Sequence, residues 1–302
     1  MANRAPGIYD ALRNFPRTIR LPSFRSVTAG SPSAIVMPLG VTYESINLRF
    51  TIAGVPATAA EIANQVTKVK ATIDGDSKID ASATELLAIL NFWNSRYGMT
   101  NVIEGVLRIG LSRPFDQEID AQDGPAWGCA VGVPGGVNSF NLEVTLGAGA
   151  TIDGIEGFAE VTRPTPLGRH LVIRRISDNQ AAAGDRVMAD WPRLDTDVAW
   201  YAIHIDKAGG TGNPIREVQL KIDQKDEIER CAYGHIRSTF QRYGLTQQTG
   251  FTHIPFARRG RPLEALPAVF QDGRLTIGTA SALGNFNLLI ESLEGIDPAP
   301  GA

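Results

Sequence analysis

The sequence predicts an all-β chain with a minor helical content, built as one unit made twice, and three observations carry that reading. The first is an internal repeat. Val69-Lys-Ala-Thr-Ile73-Asp74 leads through a helical stretch to Arg96-Tyr97-Gly98, and Val218-Gln-Leu-Lys-Ile222-Asp223 leads through another to Arg242-Tyr243-Gly244. Val69 and Val218 lie 149 positions apart and Arg96 and Arg242 lie 146 apart, so the spacing holds within three residues. Upstream, Ile46-Asn-Leu48 finds a partner in Ile203-His-Ile205. The second observation is alternation: Ile46, Leu48, Phe50 and Ile52 would share one face of a strand. The third is punctuation. Thirty-one Gly and 18 Pro are spread along the chain, which implies many short strands joined by turns. A unit built twice is more often a scaffold than the carrier of one catalytic centre.

Taken in order, residues 1–20 are a basic N-terminal segment, with Arg4, Arg13, Arg17 and Arg20 against Asp10. Ile8, Leu12, Phe15 and Ile19 form a rough helical stripe, although Pro6 and Pro16 limit any helix to Gly7–Phe15, and the segment suits an anionic lipid surface or a tail ordered by packing. Strands are expected at Ala34–Pro38, Glu44–Ile52 and Val66–Ile73, followed by a turn at Asp74–Ser77. The period then changes. Ile79, Ala83, Leu86, Leu87, Leu90, Trp93 and Tyr97 recur at helical spacing, Ser82-Ala-Thr-Glu85 fits a capping box, and Gly98 fits the stop. Strands resume at Gly105–Leu111, near Ala126–Val131, at Asn141–Leu146 and at Ile155–Thr162. Arg163-Pro-Thr-Pro166 favours an extended connector and marks the boundary between residues 21–163 and residues 164–302.

The second half repeats the order. Strands are expected at Leu171–Ile176, Val198–Asp206 and Ile215–Ile222, and a helix at about Asp226–Tyr243. Phe251–Phe256, Ala268–Phe270, Arg274–Thr279 and Phe286–Ser292 complete the set. SFNLEV looks like NFNLLI, yet strand order pairs Asn141–Leu146 with Arg274–Thr279. Each half is then an eight-stranded antiparallel sandwich with one inserted helix, and the whole is a double jelly roll.

Composition narrows function by exclusion. At 302 residues each half is long enough to bury its own core, and 43% hydrophobic with 20% charged residues is ordinary for a globular protein. A net charge of −3 argues against bulk nucleic-acid binding. No run of about 18 apolar residues exists to span a membrane. The N-terminus lacks the apolar core of a signal peptide. Cys129 and Cys231 have no CxxC partner, against a disulfide framework or a zinc site, so synthesis in a reducing cytoplasm is expected.

Val27-Thr-Ala-Gly30, Met37-Pro-Leu-Gly40 and Thr42-Tyr-Glu44-Ser-Ile46-Asn-Leu48-Arg49 resemble the opening of a corticovirus-type major capsid protein. Such proteins coat tailless phages that hold a lipid membrane beneath the capsid. Ala202-Ile-His-Ile-Asp-Lys-Ala-Gly209 and Glu217-Val-Gln-Leu-Lys-Ile-Asp223 resemble the family's second half, and the likeness runs over about residues 20–295. It implies a structural protein of the virion with no catalysis. Its partners would be itself, as a pseudo-hexagonal homotrimer among neighbouring trimers, together with penton or minor capsid proteins and the internal membrane. Sequence-specific nucleic-acid binding is not implied. The longer N-terminus and the acidic insert Asp116–Pro125 depart from the family pattern.

The family's calcium binding draws attention to two acidic groups, Asp74, Asp76 and Asp80, and Asp116, Glu118, Asp120 and Asp123. Solvated turns explain the same residues. His170, His204, His235 and His253 stand in four different elements without an HExxH spacing, which favours packing or surface roles. Gly132-Val-Pro-Gly135-Gly136 and Gly209-Gly210-Thr-Gly212 lack a P-loop's Lys-Ser/Thr, and no GxSxG elbow is present. The scattered Trp93, Trp127, Trp191 and Trp200 suit a core or an interface. The alternative reading is a secreted double jelly-roll protein that binds or cleaves glycans, for which Asp195 and Asp197 would be the carboxylate pair.

Overall fold

The computed structural model describes residues 16–99, 102–112, 126–189, 198–206, 214–261 and 264–295. In chain order the main elements begin with strands β1 (Arg17–Arg20), β2 (Pro32–Val36) and β3 (Thr42–Ile52), then helix α1 (Ala59–Gln65). Strands β4 (Val66–Ile73) and β5 (Asp76–Ala81) lead to helix α2 (Ala83–Asn94). Strands β6 (Val106–Gly110), β7 (Phe140–Leu146), β8 (Gly154–Thr162), β9 (His170–Gln180) and β10 (Gly184–Met188) follow. They are succeeded by β11 (Ala199–Asp206), β12 (Ile215–Ile222) and β13 (Lys225–Ala232). Helix α3 (Tyr233–Gln241) precedes β14 (Phe251–Pro255), β15 (Gly273–Thr279) and β16 (Gly284–Glu294). The chain divides into one unit of Met1–Thr84 with Asn101–Leu171 and a second of Glu85–Thr100 with Val172–Ala302.

The first unit is a jelly roll of two antiparallel sheets, in the orders β1-β8-β3-β6 and β2-β7-β4-β5. Alternation turns Ile46, Leu48 and Phe50 of β3 into the core, each fully buried. Tyr43 belongs to the opposite phase, yet it is buried on the same face. A bulge between Glu160 and Val161 of β8 puts one extra β3 residue between the pairs Glu160↔Ser45 and Val161↔Tyr43, and so resets the phase. Tyr43 then donates to Pro38 O at 2.6 Å and meets the Phe140 ring edge-on. Gly128 lies against the Arg163–Pro166 connector, where a Cβ would sit 2.1 Å from Pro166 O, so a side chain there would push the connector away.

The second unit repeats the plan with β9-β16-β11-β14 and β10-β15-β12-β13. Nine elements therefore match nine, β1 with β9 through β8 with β16 and α2 with α3. Strand order was the correct guide: SFNLEV falls on β7 and NFNLLI on β16, and these are not equivalent positions.

Several expected elements change. Asp226–Tyr243 was expected as one helix, but Lys225–Ala232 is strand β13, hydrogen-bonded to β12, and only Tyr233–Gln241 is helical. The same correction applies before α2, where Asp76–Ala81 is strand β5 and Ile79 points into a sheet core. Strand β10 and helix α1 were not expected. Helix α1 carries a full capping box, with Thr58 Oγ1 accepting from Glu61 N at 3.2 Å and Glu61 accepting from Thr58 N at 2.7 Å. Helix α2 ends in a 3-10 turn at Ser95–Tyr97 with Gly98 at φ 62°, the stop that the sequence announced. Its residues from Glu85 onward are grouped with the second unit, although the chain enters them from the first and returns to it at Asn101.

Candidate functional site

Two places hold the chemistry-bearing residues, and both arise from strand register. The first is the repeated turn. Asp74 and Gly75 join β4 to β5 with φ of 48° and 87°, and Asp223 and Gln224 join β12 to β13 with 47° and 68°. Two consecutive positive φ angles are the type I′ geometry that matches hairpin twist. In each turn the aspartate anchors the loop before the neighbouring strand. Asp74 Oδ1 accepts from Asn138 N at 2.9 Å and Ser139 N at 2.7 Å, while Asp74 N donates to Ser139 O. Asp223 Oδ1 accepts from Gln271 N at 2.8 Å and Asp272 N at 2.9 Å, and Asp223 N donates to Asp272 O.

The remaining candidate calcium ligands have their own protein partners. Asp76 pairs with Lys78 at 2.7 Å and Asp80 with Lys68 at 3.7 Å. Asp116 and Asp120, with Glu118 and Asp123, lie outside the described residues. Among the described residues no group of three or more His, Cys, Asp or Glu side chains is placed to hold a metal ion.

The second place is a buried polar cluster that sequence reasoning missed. β14, β11 and β16 are neighbours, and register sets His204 opposite His253 and Ala202 opposite Glu291. His204 Nδ1 lies 2.7 Å from His253 Nδ1, and His204 Nε2 lies 3.2 Å from Glu291 Oε2. From α2, Trp93 Nε1 donates to Glu291 Oε2 at 2.5 Å. Both imidazoles are 0% exposed and Glu291 is 1% exposed. Phe92 stacks on His253 with ring centres 4.2 Å apart and meets Phe240 of α3 edge-on at 5.3 Å. Tyr233 Oη accepts from His253 N at 3.1 Å. A histidine–carboxylate pair resembles acid–base machinery, but one sealed beneath two aromatic rings has no substrate to serve. His170 is buried, with Nδ1 2.8 Å from Gly168 O, and His235 is exposed.

Other nucleophile and carboxylate candidates are quiet. Burial pushes the Cys129 thiol up to about 12, so its reactive thiolate is scarce near neutrality. Cys129 and Cys231 are free thiols, the first buried and the second half-buried. A groove in the first unit brings Glu44 and Glu160 together with Arg163 and Arg169. There Glu160 accepts from Arg108 at 2.7 Å and Ser45 at 3.0 Å, and Glu44 accepts from Thr162 at 3.0 Å. The Ser45 and Thr162 bonds join the neighbouring strands β3 and β8, and the Arg108 bond reaches from β6 past β3 to β8. Asp195 and Asp197, the pair named for the glycan reading, lie outside the described residues.

With this geometry in hand, known proteins place the chain. Residues 18–162 match the family model of the viral coat protein P2 N-terminal domain. The fold matches the crystal structure of the major capsid protein P2 from bacteriophage PM2 with a TM-score of 0.77 at 20% identity, over 95% of this chain and 100% of that one. It matches the atomic structure of Sulfolobus Turreted Icosahedral Virus with 0.63 at 14% identity, over 92% and 90%. It matches the PBCV-1 virus capsid with 0.56 at 11% identity, over 93% and 95%. No curated protein matches by sequence. The glycan reading gains no support from any of these. Residues 18–162 thus belong to the family of the viral coat protein P2 N-terminal domain, and the whole chain has the double jelly-roll fold of these major capsid proteins.

Proposed function

We infer that this coat protein assembles as a homotrimer in which six jelly rolls surround a local threefold, so that each trimer tiles a shell as a hexamer would. The observation that carries this reading is that one chain holds two complete eight-stranded jelly rolls with matched strand orders. A doubled unit needs only a threefold operator to present six similar modules, and closed symmetry is the usual outcome for soluble oligomers. Calcium and penton or minor capsid proteins belong to the same proposal as further shell components, and an internal membrane as the surface beneath.

The mass in solution tests it. Static light scattering over a broad concentration range, with and without calcium, is expected to give three times the chain mass of 32.5 kDa. Monomer throughout, with no assembly in calcium or at high salt, overturns the trimer. Among the described residues no helix is long and apolar enough to cross a membrane. Membrane contact is assigned to the basic segment 1–20 on account of its four arginines and apolar stripe, and its first 15 residues lie outside the described set. Deleting residues 2–17 is expected to weaken binding to anionic vesicles, since each cation near such a surface contributes about 1 kcal/mol. Unchanged vesicle binding removes that role.

A further inference from the structure

The face of α2 turned to the second unit's sheet carries polar contacts at both ends. Near its start the 1%-exposed Glu85 pairs with Arg175 of β9 and accepts from Asn287 Nδ2 of β16 at 2.8 Å. Near its end Trp93 donates to Glu291, and Phe92 covers the His204–His253 pair. The Nδ1 to Nδ1 distance of 2.7 Å is a hydrogen bond only when one nitrogen carries a proton and the other offers its lone pair. Two N–H groups cannot face each other at that separation. The pair therefore shares a single proton along this line.

The groups around it limit what a further proton can do. From β16, Glu291 bonds the far nitrogen of His204 and can balance one imidazolium. From α2 and β9 come Glu85 and Arg175, already paired with each other. From α3, Tyr233 is joined to Gln247 and to the His253 backbone. On β11, Asp206 sits two residues beyond His204, opposite Phe251 and half-exposed. A second imidazolium would place two cations side by side, both shut off from water, against one bonded carboxylate.

We propose that the His204–His253–Glu291 cluster is an acid-sensitive latch that holds α2 on the second unit while the imidazoles share one proton, and releases it when both become cationic. The proton comes from solvent. It breaks the Nδ1 contact, forces His253 to turn, and so displaces the Phe92 ring stacked on it. The sign follows from which state takes up protons. The opened state binds more, so lowering the pH favours release and raising it favours the closed latch. The segment set free is the one that the chain inserts into the second unit from the first.

Hydrogen exchange on the intact protein, read by peptide at about pH 7.5 and about pH 5 and corrected for chemical exchange, tests the latch. Exchange over residues 85–97 is expected to rise about tenfold more than over Ile215–Ile222, a histidine-free strand of the same unit. His253→Phe preserves the stack on Phe92 while removing the titrating pair, and is expected to cancel the rise. Should His253→Phe not fold, His204→Asn makes the same test. Equal protection of residues 85–97 at both pH values in the unaltered protein overturns the proposal. So does a rise shared evenly by both units, or one that persists undiminished in the variant.

Discussion

At the scale of single residues, the paired aspartates show how much one side chain can organise. Asp74 and Asp223 each sit in left-handed backbone and each fasten two amides of a distant loop. The conformation costs something for any residue with a Cβ, and the charge-assisted bonds offset that cost. Asp223→Ala keeps the strain and loses the bonds, so it should lower unfolding stability by about 1 kcal/mol, the loss being modest because the turn is exposed. Its neighbour provides the opposite test. The first turn has Gly75 where the second has Gln224, both at positive φ. Gln224→Gly should therefore raise stability by up to about 1 kcal/mol, measured by denaturant titration. A destabilised Gln224→Gly would mean that the glutamine's contacts outweigh its backbone strain.

At the scale of elements, strands are tied by charge ladders and helices by aromatic contacts. Arg230 of β13 donates to Glu217 of β12 at 2.7 Å and to both carboxylate oxygens of Asp185 of β10, at 2.8 and 2.9 Å. The intervening strand, β15, contributes Gly278, whose missing side chain leaves room: a Cβ there would lie 3.2 Å from Asp185 Oδ1. Four strands are thus spanned by three side chains. Arg230→Ala leaves two carboxylates facing each other and should lower the melting temperature at low salt, the deficit shrinking as salt screens the repulsion. Helix α2 depends instead on apolar contact. Phe92 is fully buried and touches the rings of Trp93, His204, Phe240 and His253. Phe92→Ala should cost about 3–5 kcal/mol by thermal or chemical denaturation, since the rigid sheet beneath cannot close the cavity. At the end of the helix, Arg96 Nε donates to Tyr243 O at 2.8 Å and Nη1 donates to Arg259 O at 2.6 Å. The two Arg-Tyr-Gly motifs of the repeat thereby meet inside one unit.

At the scale of the whole molecule, one strand plan is used twice, with matched sheet orders in the two units. A trimeric mass is the expected outcome of that arrangement, and the acid response of residues 85–97 is a property that each copy would carry into a shell. The two tests are independent, because exchange in α2 is read whatever the oligomeric state.

The sequence by itself determined the repeat, the β-rich class and the strands with strict alternation. Val66–Ile73 and Ile215–Ile222 were legible to the residue, because period two with a buried face allows one register only. Gly98 was legible because only a positive φ ends a helix in that way. Tertiary structure decided the rest. Ile228 and Ala232 fit a helical stripe, but both pair with β12, together with Lys225, Asp226 and Cys231, and that pairing won. The destination of α2 was hidden, since an amphipathic face records that it is buried and not against what. The buried cluster was hidden for a simpler reason. His204 and His253 are 49 residues apart, and only antiparallel pairing of β11 with β14 puts them across from each other.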